Sequence, residues 1–208
     1  MKKAMTFFMA LTLALGLAAC GKGTVNSGVP ISGDILEDQF QETHSEEFEP
    51  VPLGDFSARD FEGNTITKDL FGEYDLTMVN LWTTTCSYCI QEMPVLNELR
   101  KKFQEDGVSF NIVSICMDVG NTEEIHEENL EKAKEIMEKA EVEFPNLIPD
   151  SVLLEGRLKG IQAYPESFFV DREGNVVSEP YIGSMPKNHW RVTMNNEIEK
   201  LAQDGDKE

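Results

Sequence analysis

The residues in this 208-residue chain best suited to chemistry lie in the stretch TTTCSYCIQEMP, residues 83–94, where Cys86 and Cys89 are separated by Ser87 and Tyr88. Two thiols at that spacing can exchange electrons through a disulfide, hold a soft metal ion, or staple the chain. A staple closing so short a loop removes little unfolded-state entropy and stabilises weakly. A closed zinc site needs four ligands in tetrahedral array. The chain has no second Cys-x-x-Cys, and His44, His126 and His189 fall in separate segments. Copper(I) is satisfied by two thiolates, so copper delivery stays open. A redox role fits the position of the pair, with Cys86 at the end of a buried strand and Cys89 in the first turn of the next helix. The unpaired amides and the dipole of a helix N-terminus favour negative charge, which lowers a thiol pKa there. Cys86 is then the exposed nucleophile and Cys89 the better-buried resolving thiol. Cys116 is left over in an apolar run and behaves as a small hydrophobe.

The elements that must hold the pair are legible on either side of it. Leu76–Trp82 is a continuous apolar run, as expected of a strand covered on both faces. Over residues 87–104, Ile90, Met93, Leu96, Leu99 and Phe103 recur at helical spacing, with Pro94 expected to kink the helix. Residues 108–117 predict a second buried strand. Upstream, residues 53–59 and 65–67 form a hairpin around Glu62-Gly63-Asn64, followed by a helical turn at residues 69–72. Downstream come a charged amphipathic helix over 123–140, a short strand at 144–148 and a short helix at 153–159. A hairpin with arms 167–171 and 176–182 and a final helix over 187–202 complete the pattern. The predicted class is α/β: a central mixed sheet flanked by helices, with an N-terminal β-hairpin and a helical insertion. Trp82 and Phe61 read as core.

The first twenty residues carry a different signal. Lys2 and Lys3 precede a nearly unbroken apolar stretch over residues 4–18, the layout of an export signal and too short for an ordinary membrane span. Leu17-Ala18-Ala19-Cys20 resembles the lipobox of bacterial lipoproteins. The resemblance implies that residues 1–19 are a removed signal peptide and that Cys20 carries a lipid. Residues 20–50 are rich in Gly, Ser, Glu and Asp and bury too little to fold alone, which predicts an acidic flexible tether. Residues 51–205 are left as one domain. The net charge of −20 disfavours nucleic acid as a partner, and an exported location permits disulfides.

Three motifs in order resemble the extracytoplasmic thioredoxin-like family of the TlpA and ResA kind. Asn80-Leu81-Trp82-Thr83-Thr84-Thr85-Cys86-Ser87-Tyr88-Cys89, with Glu92-Met93-Pro94, is similar to that family's active-site stretch. Phe56, Asp60, Gly63 and Leu70 match its N-terminal hairpin. Gly160-Ile161-Gln162-Ala163-Tyr164-Pro165, with Phe168-Phe169-Val170-Asp171 and Gly174, matches its second signature. The resemblance implies a thioredoxin-like fold and a cis Pro165 that leaves the backbone of Tyr164 free for partner strands. It also makes Tyr88 a partner-facing ring. Four positions depart from common patterns. Asn80 replaces a frequent buried aspartate, and Thr85 a frequent tryptophan. Glu166 stands where threonine usually follows the proline; near the pair its carboxylate would raise both cysteine pKa values or act as a base, but its side chain is expected to point to solvent. Ser87-Tyr88 matches neither of the dipeptides that mark strong reductants or strong oxidants.

What the resemblance implies is a thiol–disulfide oxidoreductase, anchored as a lipoprotein to the outer face of the bacterial cell membrane. It would work as a reductant through Cys86 and Cys89, with no cofactor beyond that redox-active disulfide and no metal. Implied clients are disulfide-bearing proteins, apocytochrome c or exported methionine sulfoxide reductases. The implied electron donor is a CcdA- or DsbD-like membrane protein, and the implied state is a monomer. Two alternatives stay open. Thr83 lies three residues before Cys86, as in peroxiredoxin-like peroxidases, although Val79 occupies the place of their proline. Copper(I) delivery is the non-enzymatic alternative.

Overall fold

A computed structural model describes residues 48–205. The export signal, Cys20 and nearly all of the tether lie outside the described residues.

The sheet is built outward from its two most apolar strands. β4 (Leu76–Trp82) and β5 (Phe110–Cys116) pair in parallel from Leu76↔Phe110 to Trp82↔Cys116, and every residue of both is buried. Strands with both faces covered can be apolar throughout, which is why neither sequence alternates. On the other side of β4, β7 (Glu166–Asp171) runs antiparallel, from Leu76↔Asp171 to Leu81↔Glu166. The shorter strands are β1 (Val51–Pro52), β2 (Ser57–Asp60), β3 (Thr65–Thr67), β6 (Asn146–Ile148), β8 (Asn175–Val176) and β9 (Tyr181–Ile182). Their order is β1-β8-β7-β4-β5-β6-β2-β3, with β9 also paired to β7.

Alternate side chains of the central strands feed two packed layers. Met78, Ile112 and Phe169 meet Leu96 and Leu99 of α1 (Ser87–Glu105) and Trp190 and Met194 of α4 (Lys187–Gly205). Val79, Val113 and Phe168 meet Phe56, Leu153 of α3 (Ser151–Glu155) and Phe71 of a 3₁₀ turn, Lys68–Glu73. A third cluster joins Trp82, Cys89, Met93 and Cys116 to Leu130, Ala133 and Met137 of α2 (Glu127–Lys139). The end of the sheet that carries the cysteine pair is therefore roofed by α2, the predicted insertion.

Several boundaries differ from the sequence expectation, each for a local reason. The strand expected over 53–59 is interrupted because Gly54 has a φ of 87°; β2 starts only at Ser57. The helix expected over 123–140 starts at Glu127. Before it, the Asn121 side chain accepts the N–H groups of Glu123 and Glu124, and Gly120 bridges to Ile125. The hairpin arm expected over 176–182 splits into β8 and β9. Between them the Ser178 hydroxyl accepts the Phe169 N–H, and Pro180 has no N–H to give a ladder. The helix expected over 153–159 starts earlier, where the Asp150 carboxylate caps it through Leu153 N–H. α1 runs through Pro94 without ending. Among the described residues no helix is long and apolar enough to cross a membrane.

Candidate active site

β4 ends at Trp82, and a tight turn leads into α1. The Cys86 N–H donates to the Thr83 carbonyl at 3.1 Å, closing the turn. Cys86 is the N-cap of α1, with φ −84° and ψ 99°, and its Sγ accepts the Cys89 N–H at 3.2 Å. Sulfur thus takes the place usually filled by a side-chain oxygen at a helix start. Cys86 and Cys89 are joined as a disulfide, with their Cα atoms 5.3 Å apart. Cys86 is half-buried, whereas Cys89 is only 1% exposed and packs in the cluster with Trp82 and Met93. When the bond opens, the accessible sulfur is the one that faces the helix amides. A helix N-terminus there stabilises a thiolate relative to a thiol.

The other singled-out residues fall around this point or away from it. Tyr88 is exposed (69%) beside the pair. The Tyr164–Pro165 peptide bond is cis, and Pro165 is buried immediately before β7. Because Leu81 pairs with Glu166, the register sets Pro165 beside the end of β4 from which the Cys86 turn departs. The half-buried ring of Tyr164 packs on the cluster that contains Cys89, alongside Cys86. Burial raises its phenol pKa, helped by Glu166, Asp118 and Cys116. The Asn80 amide donates to Ser167 Oγ at 3.0 Å across the sheet and is buried, so it ties β4 to β7.

Glu166 corrects the expectation of a solvent-facing carboxylate. It is 7% exposed, and its Oε1 accepts from Arg157 Nη2 at 2.8 Å. The Arg157 guanidinium also lies over the Phe168 ring, 4.1 Å from its centroid. Pairing to Leu81 on β4 and Ile182 on β9 fixes the face that the Glu166 side chain takes, and Arg157 covers the carboxylate there. Alongside lies a groove of about 450 Å³, lined by Phe48, Arg157, Lys159, Ile161, Pro180 and Ile182 among others.

Two further carboxylates lie near the pair: Glu92, which the sequence places in the active-site stretch without a role, and Asp118, which it does not single out. Glu92, one turn beyond Cys89, is 3% exposed and accepts from Trp190 Nε1 at 2.5 Å and Met185 N–H at 2.8 Å. Its second oxygen has no partner, and burial raises its pKa against the pull of these donors. An acidic residue on the apolar face of α1, in step with Cys89, Met93 and Leu96, is the signal that could have flagged it. Asp118 follows β5, and both its oxygens accept from Thr84 in the Cys86 turn. Only the parallel register of β4 and β5 links those two positions. Cys116 is fully buried and donates its S–H to Asp118 Oδ1 at 3.3 Å; burial, then the Asp118 charge, pushes its thiol pKa upward. Among the described residues no cluster of three or more His, Cys, Asp or Glu side chains could hold a metal ion.

Comparison with known proteins agrees with this geometry. Residues 50–179 match the AhpC/TSA family. The chain is 33% identical over 133 residues to a thiol-disulfide oxidoreductase ResA of Bacillus cereus, covering 64% of this chain and 68% of that protein. It is 27% identical over 154 residues to the thiol:disulfide interchange protein DsbE of Haemophilus influenzae, covering 74% and 76%. The crystal structure of a thioredoxin-family thiol:disulfide interchange protein from Chlorobium tepidum TLS superposes with a TM-score of 0.58 at 22% identity. It covers 73% of this chain and 98% of that one, which establishes the thioredoxin-like fold. The chain therefore belongs to the AhpC/TSA family and, within it, to the thiol–disulfide oxidoreductases of the ResA type.

Proposed function

We propose that this oxidoreductase works as a disulfide reductase outside the cytoplasm, tethered to the membrane by a lipid on Cys20, with Cys86 as nucleophile and Cys89 as resolving thiol. The observation that carries the assignment of roles is their unequal burial at one helix start: Cys86 half-buried and accepting an amide N–H, Cys89 1% exposed. In the reduced enzyme the Cys86 thiolate attacks a client disulfide. A Cys86–client bond forms, and the client's other sulfur leaves as a thiolate and takes a proton. Cys89 then loses its proton and attacks Cys86 Sγ, forming the Cys86–Cys89 bond and releasing the second client sulfur as a thiol. The client gains two electrons and the enzyme loses two. A CcdA- or DsbD-like membrane protein returns them.

Client contacts centre on the exposed Tyr88 ring and the backbone of Tyr164 beside Pro165. Clients are disulfide-bearing exported proteins, among them apocytochrome c and methionine sulfoxide reductase. The lipobox-like residues 17–20 and the acidic run after them support the tether. Cys89→Ser tests the roles directly. Incubated with an oxidised client, that variant accumulates a mixed disulfide through Cys86, and Cys86→Ser accumulates none. Reductase activity persisting in Cys86→Ser refutes the assignment.

A further inference from the structure

Resting on the assignment of Cys86 as nucleophile, we propose that Asp118 is a positioning residue for that sulfur: it clamps the turn that delivers Cys86 to the N-terminus of α1. β4 and β5 are parallel, with Trp82 opposite Cys116, and their ladder closes with Met117 N–H donating to the Trp82 carbonyl at 2.8 Å. Two residues further along each strand, Thr84 meets Asp118. Thr84 N–H points at both carboxylate oxygens, 3.0 Å from each, and Thr84 Oγ1 donates to Oδ2 at 2.7 Å. Thr84 is 2% exposed and sits inside the turn closed by Cys86 N–H and the Thr83 carbonyl.

The clamp is itself braced. Cys116 S–H donates to Oδ1, and the Asp118 carbonyl accepts from Asn129 Nδ2 of α2 at 2.6 Å. Neither sulfur of the redox pair takes part, so opening the disulfide breaks none of these bonds. Among the described residues the turn has no other side-chain anchor of this kind: Thr83 and Thr85 touch only each other through their hydroxyls, at 3.4 Å.

Position and charge make opposite predictions here, which allows them to be separated. A carboxylate near the turn opposes a thiolate, so deleting its charge alone lowers the Cys86 pKa. Deleting the clamp lets Cys86 drift from the helix amides and raises it. The ionisable groups around this turn are Asp118, Cys116, Tyr164 and His126, whose Nδ1 lies 3.4 Å from the Asp118 carbonyl, with Glu92 on α1 and the Glu166–Arg157 pair beyond.

The test measures the rate of iodoacetamide alkylation at Cys86 against pH in the reduced full-length protein, with the labelled site identified by mass spectrometry. Asp118→Ala is expected to move the profile to higher pH by about one unit, which is about tenfold less thiolate at any pH well below both pKa values. Asp118→Asn removes the charge but keeps an acceptor for Thr84 N–H, and is expected to lie at or slightly below the wild-type profile. Thr84→Val retains the carboxylate but loses the hydroxyl donor. It is expected to shift the profile in the same direction by less, and it serves if Asp118→Ala does not fold. A profile that stays put, or moves to lower pH, in both Asp118→Ala and Thr84→Val overturns the inference, even if the variants are less stable. A wild-type Cys86 with the profile of an ordinary thiol overturns the assigned nucleophile instead, so the two failures are distinct.

Discussion

Replacing Arg157 with methionine isolates what the buried ion pair beside Pro165 does. The two side chains are 20% and 9% exposed, and the nitrogen–oxygen distance is 2.8 Å. Two unit charges about 4 Å apart attract by about 4 kcal/mol at an effective dielectric near 20. Desolvation of both ions cancels much of that, so the intact pair is worth little net. Losing one partner is different, because Glu166 stays behind, held between β4 and β9 with no counter-charge. Breaking such a pair costs about 3–5 kcal/mol. Loss of the guanidinium over Phe168 adds about 1 kcal/mol. Allowing for the partial exposure of Arg157, Arg157→Met is expected to lose about 3 kcal/mol, or about 6–12 °C in Tm for a domain of this size. Glu166→Gln loses less, since an amide oxygen still accepts from Arg157. The double variant restores part of the loss, falling short of the sum of the singles by at least about 1 kcal/mol. Urea unfolding measures all three, with equal m-values as the check that only stability has changed. Additive losses within about 0.5 kcal/mol would mean that the two side chains are uncoupled and that the account of Glu166 is wrong.

Two further outcomes follow from buried groups near the site. Burial raises the Glu92 pKa above its ordinary 4.5, so the folded state keeps this proton to higher pH than the unfolded chain does. Its contribution to stability is therefore greatest below about pH 4.5 and is lost as pH rises through the folded-state value. In Glu92→Gln this fall disappears, read as the difference between urea midpoints of the two proteins from about pH 4 to 8; parallel curves would refute it. Cys116, buried and with its thiol pKa pushed up, is expected to resist iodoacetamide at about pH 8 until denaturant is added. Rapid native-state labelling there would show that the third cluster is open to solvent.

The parts of the fold readable from sequence are those whose own residues decide their state. β4 and β5 are apolar throughout, and α1 repeats apolar residues at helical spacing from Ile90 to Phe103. These three place the cysteine pair, so the strand–turn–helix that carries it is legible in the residues alone. The two-residue strands β1, β8 and β9 have no such internal signal; each exists because β7 or its neighbour supplies partners. The start of α2 falls later than its apolar pattern suggests because an Asn121 side chain outcompetes helix for the amides of residues 123 and 124. The surroundings of Glu166 and Asp118 are hidden from sequence for one shared reason. Their partners, Arg157 and Thr84, reach them through sheet register and chain return, which periodicity does not encode.

Those hidden contacts matter because the chain carries a net charge of −20, an unfavourable setting for a sulfur that must ionise. Screening confines the relevant charges to those within about 8–10 Å at physiological salt, so the local carboxylates decide the outcome and the acidic surface does not. Each of the three carboxylates around the pair is offset by a different means. Glu166 is matched by a guanidinium, burial raises the Glu92 pKa and so shifts it toward its neutral form, and Asp118 is engaged by the Thr84 N–H and hydroxyl and by a thiol. The amide of Cys89 then meets the Cys86 sulfur with little local opposition. A thiolate in an acidic protein thus depends less on adding positive charge beside the sulfur than on occupying the negative charges already there. Arg157→Met uncovers one of them, and the same alkylation profile used for Asp118 should then shift to higher pH, by less than in Asp118→Ala because Glu166 lies beyond Pro165 and not in the turn itself.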